Sequence, residues 1–212
     1  MLINYFKKLI YTTVIIASFS SNAGSFEDFF IAIRNDNAGV VNGLLDRGFD
    51  PNTRDEKGQP GLTIAMQGRA LNVARALLAR PGIDVNALNE AGESALMMAA
   101  LKGDLSGAQL LLERGAKVNQ PGWSPLHYAA TGREPKLVQL LLDRGAEIDA
   151  ASPNGSTPLM MAAQYGSEDS VRLLLARGAD AKRRNQLDLG VIDFARQAGR
   201  AALVQQLEQS LR

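Results

Sequence analysis

Gly155 to Lys182 reads GSTPLMMAAQYGSEDSVRLLLARGADAK, and its pattern predicts two short helices in succession. Pro158 lies in the first turn of the first helix, where its missing N–H has no helical partner to lose. Gly166 separates this helix from a second one, whose apolar face falls at residues 171–175. Gly178 follows the second helix at a position that favours a left-handed backbone. The segment therefore predicts a compact helix–turn–helix unit.

The same unit recurs along the chain with a period of about 33 residues. Three classes of residue share this period. The leucine pairs of the second helices are Leu44-Leu45, Leu77-Leu78, Leu111-Leu112, Leu141-Leu142 and Leu174-Leu175. The glycines that follow these helices are Gly48, Gly82, Gly115, Gly145 and Gly178, and the alanines of the first helices are Ala65, Ala99, Ala129, Ala162 and Ala195. Such a period indicates a solenoid, in which each unit packs on its neighbours instead of around one central core.

Two segments carry the motif that identifies the repeat. Residues 124–129 read SPLHYA and residues 157–162 read TPLMMA, while residues 143–149 read DRGAEID. These motifs, at this period, resemble the ankyrin-repeat family over residues 26–212. The resemblance implies an all-α solenoid of helix–turn–helix units with β-turn fingers between them. The residues before it are expected to form a signal peptide on their own pattern.

The resemblance also divides the chain into units. Residues 1–23 are expected to be a secretory signal peptide and residues 24–212 the ankyrin-repeat domain. The expected units are a degenerate first repeat at 26–57, repeats at 58–91, 92–121, 122–154 and 155–187, and a C-terminal cap at 188–212. Terminal units need a polar outer side because one face meets solvent. In the cap we expect that side to carry Arg196, Arg200, Gln205, Gln206, Glu208 and Gln209.

Residues 1–23 have the three parts of a secretory signal peptide. Lys7 and Lys8 form a positive region, residues 9–19 are mostly apolar, and residues 21–23 read SNA, a small-residue cleavage site. The apolar part is shorter than the about 20 residues of a membrane span. The pattern looks bacterial and predicts a periplasmic mature protein without stable membrane insertion. Secretion beyond the cell and an uncleaved membrane anchor are the alternatives.

Composition argues against several kinds of chemistry. The formal net charge is +1, so the chain has no strongly basic face for nucleic acid. It has no cysteine, which excludes disulfides, thiol catalysis and Cys-ligated zinc. His127 is the only histidine, and we interpret it as a structural hydrogen-bonding residue of the helix-opening motif. We therefore expect no enzymatic activity, no cofactor and no metal.

The fourth unit departs from the repeat pattern in its finger. In other units six positions separate the Asn or Asp that starts a finger from the next opening glycine, as from Asn52 to Gly58. Only three positions separate Asn119 from Gly122. This finger therefore lacks three residues, and Trp123 stands at the edge of the gap. Two interpretations of Trp123 stay open: it contacts a partner, or it packs against the shortened finger and fills the gap.

The resemblance implies that a partner binds on a concave surface formed by the fingers and the exposed sides of the first helices. Trp, Tyr and Arg dominate the energetics of protein interfaces, so Trp123 and Tyr165 are the predicted anchors. Tyr165 is expected one repeat away on the equivalent surface, or else it is a solvent-exposed ridge residue. The predicted partner-binding residues are Trp123, Tyr165, Arg133, Lys57, Glu93, Lys102, Gln164, Arg183 and Arg184.

These observations together favour an exported protein–protein interaction module. Such a module would act as a scaffold, an inhibitor or a chaperone-like partner of another periplasmic protein. We expect it to be a monomer. The alternative is an enzyme or a metal-dependent stress protein carried on the repeat scaffold.

Overall fold

The computed structural model describes residues 24–210, and twelve helices form the regular secondary structure of that part of the chain. Their bounds are α1 at residues 24–34, α2 Ala38–Asp46, α3 Gly61–Gln67, α4 Leu71–Leu78, α5 Ala95–Leu101, α6 Leu105–Glu113, α7 Pro125–Thr131, α8 Pro135–Asp143, α9 Pro158–Tyr165, α10 Glu168–Ala176, α11 Val191–Gln197 and α12 Ala201–Ser210. Helices α3, α5, α7, α9 and α11 pack in succession as one layer, and α2, α4, α6, α8 and α10 form a second layer beside it. We call the odd-numbered helices inner and the even-numbered helices outer. The predicted all-α solenoid is confirmed.

Inner helices α5 and α9 begin with a cap that the sequence motif supplies. The hydroxyl of Thr157 accepts the backbone N–H of Met160 at 3.4 Å, and Ser94 caps α5 in the same way. Helix α3 follows Pro60, which has no side-chain oxygen, and no side chain caps it. Residues 58–62 read GQPGL where the fifth unit reads GSTPL, so this unit lacks the hydroxyl that would cap its first helix.

The fingers are short hairpin-like turns between an outer helix and the next inner helix. Backbone N–H groups close them, for example from Asn89 to the Glu93 carbonyl and from Ser152 to the Ser156 carbonyl, both at 3.0 Å. The shortened finger between Asn119 and Gly122 has no equivalent closing bond within the described residues. Instead, the Gln120 side-chain amide donates to the Gly92 carbonyl of the preceding finger at 3.1 Å.

The core is one continuous apolar layer between the helices. The first leucine of each of the last four pairs is fully buried: Leu77, Leu111, Leu141 and Leu174. Phe29 and Ile33 of α1 are also fully buried, as their helical spacing predicts. Inner helices approach closely, and a Cβ added to Gly166 would lie 2.1 Å from the Ala130 carbonyl oxygen. Small residues at these positions are therefore a steric requirement of the stacking.

The expected place of Arg200 on the polar outer side of the cap is wrong. Arg200 is half-buried, and its Nη1 donates to the carbonyl oxygens of Ala162, Ala163 and Gly166, each at 3.0 Å. These oxygens lie at the C-terminal end of α9, where the last carbonyls have no following helical N–H to pair with, although the Ala162 carbonyl also accepts the Gly166 N–H. A guanidinium satisfies several of them at once, so this arginine joins the cap to the fifth unit. The other five residues expected on that side include Arg196 and three glutamines, which are exposed, and Glu208, which is half-buried.

Within residues 24–210, no helix combines the length and the apolar character that crossing a membrane requires. The predicted signal peptide at residues 1–23 lies outside the described residues.

Candidate functional site

The shortened finger borders an apolar cavity on the inner-helix face. Its volume is about 200 Å³. Its walls come from three neighbouring inner helices and from the segment that precedes α7. The lining residues are Leu101, Trp123, His127, Tyr128, Thr131 and Met161. We call this site the Trp123 cavity.

Two large apolar side chains make the Trp123 cavity accessible. Leu101 is 44% exposed and Trp123 is 37% exposed. On its other side, Trp123 packs against the ring of His127, with ring centroids 5.3 Å apart. The two interpretations of Trp123 are therefore compatible, because the residue packs beside the shortened finger and also presents a surface to solvent.

His127 forms the floor of the cavity and is fully buried. Its Nδ1 accepts the backbone N–H of Ser124 at 3.1 Å, and its Nε2 lies 3.1 Å from the Ser156 carbonyl oxygen. A backbone N–H only donates and a carbonyl only accepts, so the proton resides on Nε2. Burial lowers the pKa of His127, and the hydrogen bond to Ser156 offsets only part of this effect. A nitrogen that accepts a hydrogen bond belongs to a neutral imidazole, and this geometry fits the structural interpretation of His127.

Other units replace this imidazole by different acceptors at the equivalent position. The sulfur of Met160 accepts the Thr157 N–H at 3.4 Å, and an Asp193 oxygen accepts the Gly190 N–H at 2.9 Å. The recurrence of this contact supports the structural interpretation of His127. Among the described residues, no group of three or more His, Asp or Glu side chains is placed to hold a metal ion.

Glu93 fixes the tyrosine in the wall of the cavity. The Tyr128 hydroxyl donates to Glu93 Oε1 at 2.8 Å, and the Asn89 amide donates to Glu93 Oε2 at 2.8 Å. Burial is the main cause that raises the pKa of Tyr128, and the hydrogen bond and charge of Glu93 raise it further. Glu93, which the sequence suggested as a partner contact, thus uses both carboxylate oxygens inside the protein.

A second cavity of about 530 Å³ lies at the C-terminal end of α9. It contains three of the predicted binding residues, which are Arg133, Gln164 and Tyr165. Tyr165 is 58% exposed. Trp123 precedes α7, whereas Tyr165 ends α9, so the two predicted anchors lie in different cavities. The cavities are neighbours, because Thr131 lines the first and Arg133 lines the second.

The remaining predicted residues are distributed over the molecule. Lys102 directly follows Leu101 and is exposed beside the Trp123 cavity. Lys57 lies at the first finger, in a cavity with Phe26 and Arg34. On the last finger, Arg183 donates to the Asp149 carbonyl at 3.1 Å, and Arg184 lies 3.5 Å from Asp188 and 3.8 Å from Asp193. The structure therefore brings Arg133, Gln164 and Tyr165 together in one cavity, whereas Lys102 only directly follows a residue of the Trp123 cavity.

Sequence reasoning missed four residues that line the Trp123 cavity: Leu101, Tyr128, Thr131 and Met161. Leu101 did carry a signal. It follows the Ala-Ala pair of its unit, at the position where the fifth unit has Gln164. An apolar residue at a position that is polar elsewhere in the repeat indicates an exposed apolar surface.

Comparison with known proteins identifies the repeat. A family model described as ankyrin repeats (3 copies) matches residues 29–121 and 117–185. An ankyrin repeat-containing protein of Treponema pallidum (strain Nichols) is 37% identical over 173 residues, which is 81% of this chain and 48% of that protein.

Two animal proteins match shorter parts of the chain. Human transient receptor potential cation channel subfamily A member 1 is 30% identical over 147 residues, which is 64% of this chain and 13% of that protein. Rat ankyrin repeat and SAM domain-containing protein 6 is 38% identical over 134 residues, which is 63% of this chain and 12% of that protein. The chain spans less than half the length of each of these three relatives.

Proposed function

Because the chain belongs to the ankyrin-repeat family, we propose that it is an exported, non-enzymatic module that binds another protein through its inner-helix face. Ankyrin repeats indicate a protein–protein interaction module. The export part of the proposal is supported by the signal-peptide pattern of residues 1–23. The expected compartment is the periplasm, and the partner is another exported protein that this chain scaffolds, inhibits or protects.

The Trp123 cavity is the observation that carries the choice of surface. Strong interface contacts are concentrated in aromatic residues that lie in or beside pockets and lose solvent on binding. Trp123 and Leu101 stay 37% and 44% exposed at the mouth of an apolar cavity. Exposed apolar groups that cluster in this way mark interaction sites on soluble proteins. We therefore place the partner on the inner helices α5, α7 and α9.

Capture in the native cell tests this function. The bait is the full-length chain, so that any export takes place, and it is compared with a Leu101→Ser/Trp123→Ala variant. Gln109→Ala on outer helix α6 is the matched control, because Gln109 is exposed on the opposite layer. The expected result is a protein that the native chain and the control recover and the cavity variant loses. Equal recovery by all three baits would contradict the proposed surface. Thermal melts show whether the variants are equally folded.

Export is tested separately from binding. Fractionation and mass measurement of the expressed full-length chain should give a periplasmic protein that starts near Gly24. Ile15→Arg places a charge in the apolar part of residues 1–23, and it should keep the chain uncleaved and inside the cell. Recovery of the uncleaved native chain in the cytoplasm would contradict the export proposal. This result would not bear on the proposed binding surface.

A further inference from the structure

We infer that the Trp123 cavity receives one aromatic or large aliphatic side chain from a linear acidic segment of the partner protein. This inference rests on the proposed function and adds the chemistry of the segment that is bound.

The size of the cavity favours a single side chain over a free small molecule. Its volume is about 200 Å³. Pockets for small-molecule ligands are usually larger, roughly 300–1,000 Å³. The exposed parts of the wall come from apolar groups, with Leu101 and Trp123 at the mouth and Met161 and Tyr128 behind them. An apolar side chain carried by a peptide is the occupant that fits both the size and the lining.

Two cations lie close in the chain to residues that line this apolar site. Lys102 is the residue after Leu101, and Arg133 is two residues beyond Thr131. Both are exposed, and neither side chain forms an ion pair or a hydrogen bond among the residues that the structure describes. Both positive charges are therefore available to a ligand in the cavity.

The carboxylates around the same site are already used within the protein. Glu93 accepts hydrogen bonds on both oxygens from Tyr128 and Asn89. Glu134 accepts the Lys136 backbone N–H at 3.2 Å. Glu168 lies 3.5 Å from Arg172. These carboxylates keep their charge, but hydrogen bonds or an ion pair hold them within the protein, whereas the side chains of Lys102 and Arg133 have no such partner among the described residues. An acidic partner segment can therefore pair with both cations, and this charge complementarity favours it over a basic segment.

The second cavity shows why the bound segment is linear. Thr131 lines the first cavity and Arg133 lines the second, which also contains Tyr165. A segment whose apolar side chain enters beside Trp123 can thus continue past Arg133 towards Tyr165. An extended peptide reaches both cavities, whereas a compact ligand fills only one.

Selection from a peptide library tests the inference without knowledge of the partner. The probe is a library of short displayed peptides with a fixed central phenylalanine and random flanking positions. A second library carries alanine at the centre. Each is selected on the native chain, on Lys102→Glu/Arg133→Glu, and on Arg75→Glu/Lys136→Glu. The last variant makes the same charge change at exposed positions of the outer helices.

The native chain and the outer-helix control should enrich Asp and Glu around phenylalanine, and the alanine library should not be enriched. Selected peptides should bind about fivefold more weakly for each charge reversed at Lys102 or Arg133, the size expected of a surface ion pair. Trp123 is the only tryptophan, so its fluorescence reports the titration. Lack of enrichment, enrichment of basic or neutral flanks, or equal binding by the Lys102→Glu/Arg133→Glu variant would overturn the inference.

Two further outcomes separate this inference from the proposed function. The capture experiment could recover a partner that depends on Leu101 and Trp123 while the peptide selection shows no preference for acidic residues. This result would overturn the acidic-peptide inference and leave the proposed interaction module supported. Self-association of the purified chain that Leu101→Ser abolishes would assign the cavity to a second copy, and this result would also overturn the acidic-peptide inference.

Discussion

Trp123 packs edge-to-face on His127, with ring centroids 5.3 Å apart and an interplanar angle of 78°. This contact joins the accessible wall of the cavity to the buried cap of α7. His127 in turn bonds to Ser124 of its own unit and to Ser156 of the next unit. The proposed binding surface therefore packs on His127, a buried residue whose hydrogen bonds link two repeats.

The buried imidazole predicts a pH-dependent stability. Burial lowers the pKa of His127 in the folded chain, so the unfolded chain binds a proton more readily. The stabilisation is present in full above about pH 6.5, the ordinary histidine pKa, and is lost as the pH falls through the lowered folded pKa. Urea unfolding from about pH 7.5 to about pH 5 should show this loss.

His127→Gln is the control for this prediction, because the chain has no other histidine. The variant should be less stable than the native chain at neutral pH and should lose the step in stability below about pH 6.5. The same step in both proteins would show that another group is responsible.

The close approach of α7 and α9 predicts that one methyl group added at Gly166 strongly destabilises the fold. In Gly166→Ala the new Cβ would lie 2.1 Å from the Ala130 carbonyl oxygen. Relief of this overlap requires backbone movement, and we expect a loss of about 3 kcal/mol in the free energy of unfolding. Gly68→Ala is the matched control, because its Cβ would meet nothing closer than 3.6 Å. That change should be neutral or slightly stabilising. Similar denaturation midpoints for the two variants would contradict the packing described here.

The leucine pairs predict which side of each outer helix faces the core. Leu141 is fully buried, whereas its neighbour Leu142 is half-buried. Leu141→Ala should cost about 2–5 kcal/mol by leaving a cavity. Leu142→Ala should cost clearly less, since part of its side chain already meets water. Chemical denaturation measures both, and the reverse order would show that the core face is misplaced.

The cap arginine predicts a difference between two residues that look alike in the sequence. Arg200→Met removes the donor to three carbonyl oxygens at the end of α9 and should cost about 1.5–3 kcal/mol, as for hydrogen bonds to a charged group. Arg196→Met removes exposed contacts to Asp193 and Glu208 and should cost at most about 1 kcal/mol. Equal effects in thermal or urea unfolding would contradict the role of Arg200.

Periodicity was sufficient to predict the helices and the core, because both are local properties of a repeat. Each repeat has apolar residues at helical spacing and a glycine after its outer helix, as Gly178 follows α10. Each unit contacts only its neighbours. Arg200 escaped this reasoning. Its position in the sequence is that of an exposed residue after Gly199, and only the stacked structure brings it to the carbonyls of α9.

The cavity could be predicted only in part. The three-residue shortening marked Trp123, but Leu101, Tyr128 and Met161 come from three different units and meet only after stacking. The two predicted anchors lie in different cavities because Trp123 precedes an inner helix, whereas Tyr165 is the last residue of an inner helix. These two positions are at opposite ends of the inner layer. Repeat alignment gives the unit in which a residue lies, and the three-dimensional structure shows which neighbours share its surface.

Site-specific photocrosslinking in the native cell tests whether a partner binds the inner-helix face. A photoreactive amino acid replaces Leu101 at the mouth of the Trp123 cavity or, in a second chain, Gln109 on outer helix α6. We expect a discrete adduct with another exported protein from position 101 and none from position 109, and Trp123→Ala should diminish the adduct. Adducts from position 109 alone, or the same adducts from both positions, would contradict binding through the inner-helix face.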